Sequence, residues 1–329
     1  MNNPNMPHNV LEITEEKQNI KKRAKFIGLA LIITVVITFS WASIFMNITS
    51  SLGMTEEGSY NLLMEPAMLQ LVNQVLSSVM FTLPFLIVLS GLGLRLFDVM
   101  SFSKPDKTFL APIILIAVAF CGFANAGTTA IQNVFFSFGI DIAPPNIEEP
   151  SGLFGKFLVF AGAVIVAPLA EEFAMRGIVM GSLRKFGDNF AVIVSAILFG
   201  LMHGNLVQIP FAFVVGLALG YAVIKTGSIT TGILIHFINN FLATVLSWVS
   251  ESFNSDYMSQ ALYAFYLAFC LVLAFIGVYL LKDKSREFLK ETTTQTKTPE
   301  KESIKIFFKS PLIILYIVLI AFETLLNYL

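Results

Sequence analysis

Charge is scarce in this sequence. Of its 329 residues only 13% are Asp, Glu, Lys or Arg, whereas 56% are hydrophobic and the mean hydropathy is +0.76. A soluble domain carries about 25% charge, so the composition excludes an ordinary soluble fold and indicates a polytopic membrane protein. A formal net charge of −1 offers no basic surface for a nucleic-acid partner. Cysteine occurs twice, at Cys121 and Cys270, each inside an apolar run. Their separation rules out a CxxC redox pair or a zinc-finger spacing, and both read as packing residues. Histidine occurs three times. His8 lies in the polar N-terminal stretch, which leaves His203 and His236 as the histidines of the apolar region.

What is abundant is long apolar runs. Phe26–Ile48, Ala67–Leu94, Phe109–Phe138, Phe157–Val179, Phe190–His203, Leu206–Ile224, Ile229–Val249, Tyr257–Leu281 and Ile306–Leu329 give an all-α membrane bundle of about nine transmembrane helices. The first run is too long for a signal peptide and is expected to stay uncleaved. Lys and Arg gather in alternate connections: Lys21–Lys25, then Arg95, Lys104 and Lys107, then Arg184 and Lys185, then Lys225, then Lys282, Lys284 and Arg286. The connections between them carry Glu56, Glu57, Glu65, Asp141, Glu148, Glu149, Glu251 and Asp256, with Lys156 at a helix edge. The positive-inside rule therefore predicts a cytoplasmic N-terminus and an external C-terminus.

The chain divides into a polar cytoplasmic tail (1–25), N-terminal transmembrane helices (26–150), a core (151–250), an eighth helix (251–282), a charged, Thr-rich cytoplasmic linker (283–305) and a terminal helix (306–329). Glu323, near the outer end of that last helix, is expected to snorkel and has no assigned chemistry.

The core holds three polar clusters. The first is Glu171-Glu172-Phe173-Ala174-Met175-Arg176. Ionisable side chains at membrane depth cost on the order of 2.5–3.5 kcal/mol each, so three on one segment need a reason. Glu172 and Arg176 are i,i+4 neighbours suited to a buried ion pair, which leaves Glu171, about 100° further round, without a local partner. Pro168 just before them predicts a break, through loss of the hydrogen bond to the Val164 carbonyl. The second cluster is Phe199 to Asn205 with His203. The third is His236 to Asn240, whose end residues share a helix face. A lone membrane histidine commonly joins helices by hydrogen bonding. Both histidines and both glutamates in three consecutive clusters instead indicate a site.

Glu171-Glu172 with Arg176, Phe199 with His203, and His236 with Asn240 resemble the successive motifs of the CAAX protease and bacteriocin-processing family. These intramembrane proteases are related to the eukaryotic type II CAAX prenyl endopeptidase. The resemblance spans about Phe157–Val249 and makes residues 151–250 the catalytic core. It implies an intramembrane endopeptidase, and a mechanism without a cofactor is expected because Asn240 would be a poor metal ligand without a clear task. Glu171 and His203 would activate water, His236 and Asn240 would form the oxyanion side, and Glu172 and Arg176 would support them or contact a substrate carboxylate. The implied partners are the lipid bilayer and a peptide or membrane-protein substrate, and the implied location is a bacterial cell membrane. Two alternatives stand beside this reading. One is a zinc metalloprotease with Glu171, His203 and His236 as ligands, although HExxH is absent. The other is a non-catalytic bacteriocin-immunity or transport protein.

Overall fold

In the computed structural model, residues 8–51, 66–140, 142, 152–253, 255–289 and 296–326 are described. The connections around Glu56, Glu57, Glu65, Asp141, Glu148 and Glu149 lie outside them, as does the middle of the 283–305 segment. Every regular element among the described residues is helical. The principal helices are α1 (His8–Ser51), α2 (Met68–Leu92), α3 (Lys107–Ser137), α4 (Gly152–Phe186), α5 (Asp188–Leu201), α6 (Gln208–Thr226), α7 (Ile229–Glu251), α8 (Asp256–Leu281), α9 (Glu300–Phe308) and α10 (Pro311–Leu326). Seven of these are long and apolar enough to cross a membrane; α9 and α10, bent by 68°, make an eighth span if taken together. The short apolar α5 coincides with the fifth predicted run, so each of the nine runs is helical.

Two segments differ from their sequence reading. The polar tail is already helix from His8, because Ile20, Ala24, Ile27 and Leu31 form one apolar stripe that is buried. The end of the charged linker, from Glu300, belongs to α9, which packs on α1 and α5. Phe307 is buried there, edge-on to Phe190, and Lys17 pairs with Glu302 at 2.6 Å. Helix α10 then lies along α1 through Ile313, Tyr316 and Ile320, spaced to fill one groove.

The basic connections gather at one end of the bundle. Asp106 N–H donates to the Thr226 carbonyl (3.1 Å), Ile229 N–H to Ser101 (3.0 Å) and Lys225 Nζ to Phe288 (2.6 Å), while Arg23 Nε reaches the Ser182 carbonyl (2.8 Å). Beyond that end the most enclosed segments are Phe173–Met180 of α4 and helix α5. Helices α5 and α6 approach closely because Gly216 faces Ala196, where a Cβ would stand 3.0 Å from the Ala196 Cα.

Candidate active site

Helix α4 runs unbroken through Pro168 because its hydrogen-bond register changes. Ala161–Val166 and Phe173–Met180 are π-helical, with Ala167–Glu172 α-helical between them. In the first π stretch the Ala167 N–H donates to the Gly162 carbonyl, an i→i+5 bond. The next bond in that register would run from residue 168 to Ala163, and proline has no N–H. The orphaned carbonyl is therefore that of Ala163, not Val164 as an α-helical register predicts. Asn240 of α7 supplies the missing donor, with its Nδ2 3.0 Å from the Ala163 oxygen. The proline thus docks a site residue instead of opening the helix.

One turn along, the two glutamates part. Glu172 is fully buried; its Oε1 lies 3.0 Å from Arg176 Nη1 and 3.1 Å from His236 Nδ1. Its Oε2 rests against Gly232, where a Cβ would come within 2.8 Å. Arg176 is buried too, with its guanidinium 4.1 Å from the Phe199 ring centroid and Nη2 3.4 Å from the Gly216 carbonyl. Glu171, in contrast, keeps 20% of its side chain exposed and brings Oε2 to 3.7 Å from His236 Nε2. That distance is too long for a direct hydrogen bond and suits a bridging water.

Phe199 is the hub between the histidines. Its ring meets His203 edge-on at 5.1 Å and His236 edge-on at 5.8 Å, with Arg176 over its face. Helix α5 holds it in place, since Ser195 Oγ donates to the Met175 carbonyl (3.0 Å). His203 follows the end of α5 in a turn closed by Gly204 (φ +61°) and by Asn205, which bonds the His203 carbonyl and Gln208. His203 Nδ1 lies 2.8 Å from the Phe199 carbonyl. A carbonyl only accepts, so Nδ1 carries the proton and Nε2 is the free acceptor of the neutral ring.

The structure thus joins Glu171, Glu172, Arg176 and His236 by polar contact, links His203 to them through Phe199, and ties Asn240 to α4. Four participants escaped the sequence reading. Phe199 stands in the sequence only as a motif position, and its role as a hub needs the fold. Asn239 donates to Asn240 Oδ1 (3.1 Å). Ala163 has no side-chain signal at all. Glu323 of α10 brings its carboxylate to within 3.4–3.7 Å of where a Gly204 Cβ would stand, so it faces the His203 turn.

An open groove of about 440 Å³ between α2, α4 and α7 includes Ala170 and Phe173, which flank the glutamates, and reaches Met100 and Phe102 at the basic end. Among the described residues no three His, Cys, Asp or Glu side chains converge as a metal-ligand group. Glu172 holds the Nδ1 of His236, which leaves its Nε2 facing Glu171, and the Phe199 ring touches both histidines.

Residues 153–242 match the family description of Rce1-like type II CAAX prenyl endopeptidases. This stretch, about a quarter of the chain, is thus similar to the CAAX protease family. The chain is also 23% identical over 172 residues to the membrane-embedded CAAX protease MroQ of Staphylococcus aureus, an alignment covering 50% of this chain and 69% of MroQ. No solved structure matches. The family match begins at the start of α4 and ends in α7 just after Asn240, so it encloses all three polar clusters.

Proposed function

We propose that the chain is an intramembrane endopeptidase that hydrolyses a peptide bond of a membrane-associated peptide or protein. The supporting observation is the division of labour between adjacent carboxylates. Glu172 is committed to Arg176 and His236, while Glu171 remains partly exposed at bridging distance from His236. Glu171 is then the base that takes a proton from water, assisted by His203 through its unprotonated Nε2. The oxygen of that water attacks the scissile carbonyl. Asn240 uses one N–H on Ala163 and keeps the second for the developing oxyanion. For His236 to donate from Nε2 as well, its ring must carry both protons, with Glu172 holding the one on Nδ1. The proton gained by Glu171 returns to the leaving amine. The groove from the basic end past Ala170 gives a polypeptide a path to this point.

The reading is metal-free, and activity in detergent is expected to survive exhaustive chelation. Loss with the metal and stoichiometric return on adding zinc would overturn that part. With a fluorogenic membrane peptide cut by the wild-type protein, Glu171→Ala is expected to lower kcat by about 10²–10⁴-fold while the protein stays folded. Undiminished cleavage would remove Glu171 from the mechanism. Bacteriocin protection that persists in Glu171→Ala would favour a binding-only role.

The same reading places the basic end in the cytoplasm of a bacterial cell. A reporter fused after Lys284 should read cytoplasmic and one after Asp256 external.

A further inference from the structure

Helix α3 carries a polar stripe that the peptidase chemistry leaves unused. Asn125, Thr129 and Asn133 recur every fourth residue on its half away from the basic end. Such residues share one helix face, and lipid offers them no hydrogen bonds. They line a cavity of about 420 Å³ between α3, α7 and α8, within the range usual for ligand sites. Tyr263 and Tyr266 of α8 face them across it, and no described residue of the lining is charged. The lining is therefore neutral but rich in groups that both donate and accept. That chemistry matches the amides of a polypeptide main chain and lacks what a phosphate headgroup or a metal ion requires.

Position connects the cavity with the site. Its α7 wall includes Ala243 and Leu246. At about 100° per residue, Ala243 lies about 20° around α7 from His236, and Leu246 about 20° from Asn239. The cavity thus continues the catalytic face of α7 one turn beyond Asn239 and Asn240. Asn239 is buried, and its Oδ1 has no hydrogen-bond partner among the described residues. Asn239 lies one turn from Ala243, just outside the lining, and an orphaned buried acceptor there is costly unless a donor arrives with a ligand.

We infer that this cavity is a substrate subsite for an extended stretch of polypeptide main chain, on the side of the scissile bond away from the basic end. The inference rests on the endopeptidase reading and narrows its substrate class. A helical segment has its amides paired internally and offers Asn125 and Asn133 nothing. A segment unwound at this depth, interrupted by glycine or proline, presents free N–H and C=O groups. The substrate chain would then run from the groove beside Ala170, past Glu171, into this cavity.

The test uses the full-length protein in detergent and two fluorogenic peptides, one long enough to enter the cavity and one truncated short of it. The double variant Asn125→Leu, Asn133→Leu is expected to raise KM for the long peptide about three- to tenfold, with kcat within about twofold, and to leave the short peptide unaffected. Asn125→Ser with Asn133→Ser should restore most of the loss and serves as the folding control. Equal losses on both peptides, or none on either, would overturn the inference.

A binding readout separates this inference from the reading beneath it. A photoreactive benzoylphenylalanine at Thr129, in the Glu171→Ala protein, should crosslink the long peptide and be competed by its unlabelled form. Crosslinking only to lipid or to a second copy of the chain would also overturn the subsite. If the wild-type protein cuts neither peptide yet crosslinking persists, the endopeptidase reading fails and the polypeptide site stands.

Discussion

Helices α5 and α8 are both apolar enough for a membrane, yet they bury different shares of themselves. Ten of the 14 residues of α5 are buried, against four of the 26 in α8. Those four, Tyr266, Cys270, Gly277 and Leu281, form a narrow stripe, while Phe265, Leu271, Phe275 and Val278 stay exposed. Helix α8 thus leaves most of its girth uncovered by the described residues, whereas α5 meets protein nearly all round. The residues reflect this. Helix α5 carries Ser195, Ala196 and Gly200 where neighbours approach, and α8 carries bulky side chains where nothing does. Hydropathy sets the depth of a helix; small and polar residues set its neighbours. The site belongs to the enclosed kind, because a buried guanidinium and carboxylate need protein on every side.

The largest expected effect tests that enclosure. Arg176→Ala leaves Glu172 buried with only His236 as a partner, which is expected to cost up to about 3–5 kcal/mol, read as lost folded yield and a lowered Tm in detergent. Glu172→Gln combined with Arg176→Met should recover most of the fold without activity. An Arg176→Ala protein as stable as wild type but inactive would show that the guanidinium serves substrate rather than structure.

A glycine pair sharpens the contrast at smaller magnitude. Gly232→Ala drives a methyl to 2.8 Å from Glu172 Oε2 and from Val223 Cγ2, which is expected to destabilise by about 1–3 kcal/mol. Gly127 of α3 has nothing within 4 Å of an added Cβ. Gly127→Ala should therefore be neutral or stabilise by up to about 1 kcal/mol through helix propensity. Equal effects at the two positions would erase the distinction between enclosed and uncovered helix.

Much of this architecture is readable in the sequence because membranes impose length and charge rules on it. Nine apolar runs yield the helices, and the alternation of Lys and Arg agrees with the gathering of Arg23, Lys225 and the 101–106 connection at one end. The Glu172–Arg176 pair is legible from i,i+4 spacing. What the sequence hides is register and distance. The first part of α9, residues 300–305, looks like linker because its Glu and Lys residues mask the buried Ser303 and the turn that leads into Phe307. Glu323 looks like a snorkelling carboxylate because nothing local records that α10 returns to Gly204. The effect of Pro168 is misread because its consequence depends on whether the preceding turn is α or π.

That last point yields the prediction with the smallest effect on stability. Pro168→Ala restores an N–H at the position where the π register directs it to the Ala163 carbonyl. The helix then satisfies its own acceptor, and Asn240 Nδ2 loses the partner that holds it at 3.0 Å. Stability should change by no more than about 1 kcal/mol, since one hydrogen bond replaces another and the loss of the proline ring affects mainly the unfolded chain. Activity should fall nonetheless, because a released carboxamide no longer aims its second N–H at the oxyanion. A fall in kcat of up to about 10²-fold with KM little changed is expected, approaching the loss of one oxyanion donor. Asn240→Ala should then add little to Pro168→Ala, since both remove the same donor from its place. Full additivity in that double variant would mean that Pro168 acts on the site by some route other than Asn240.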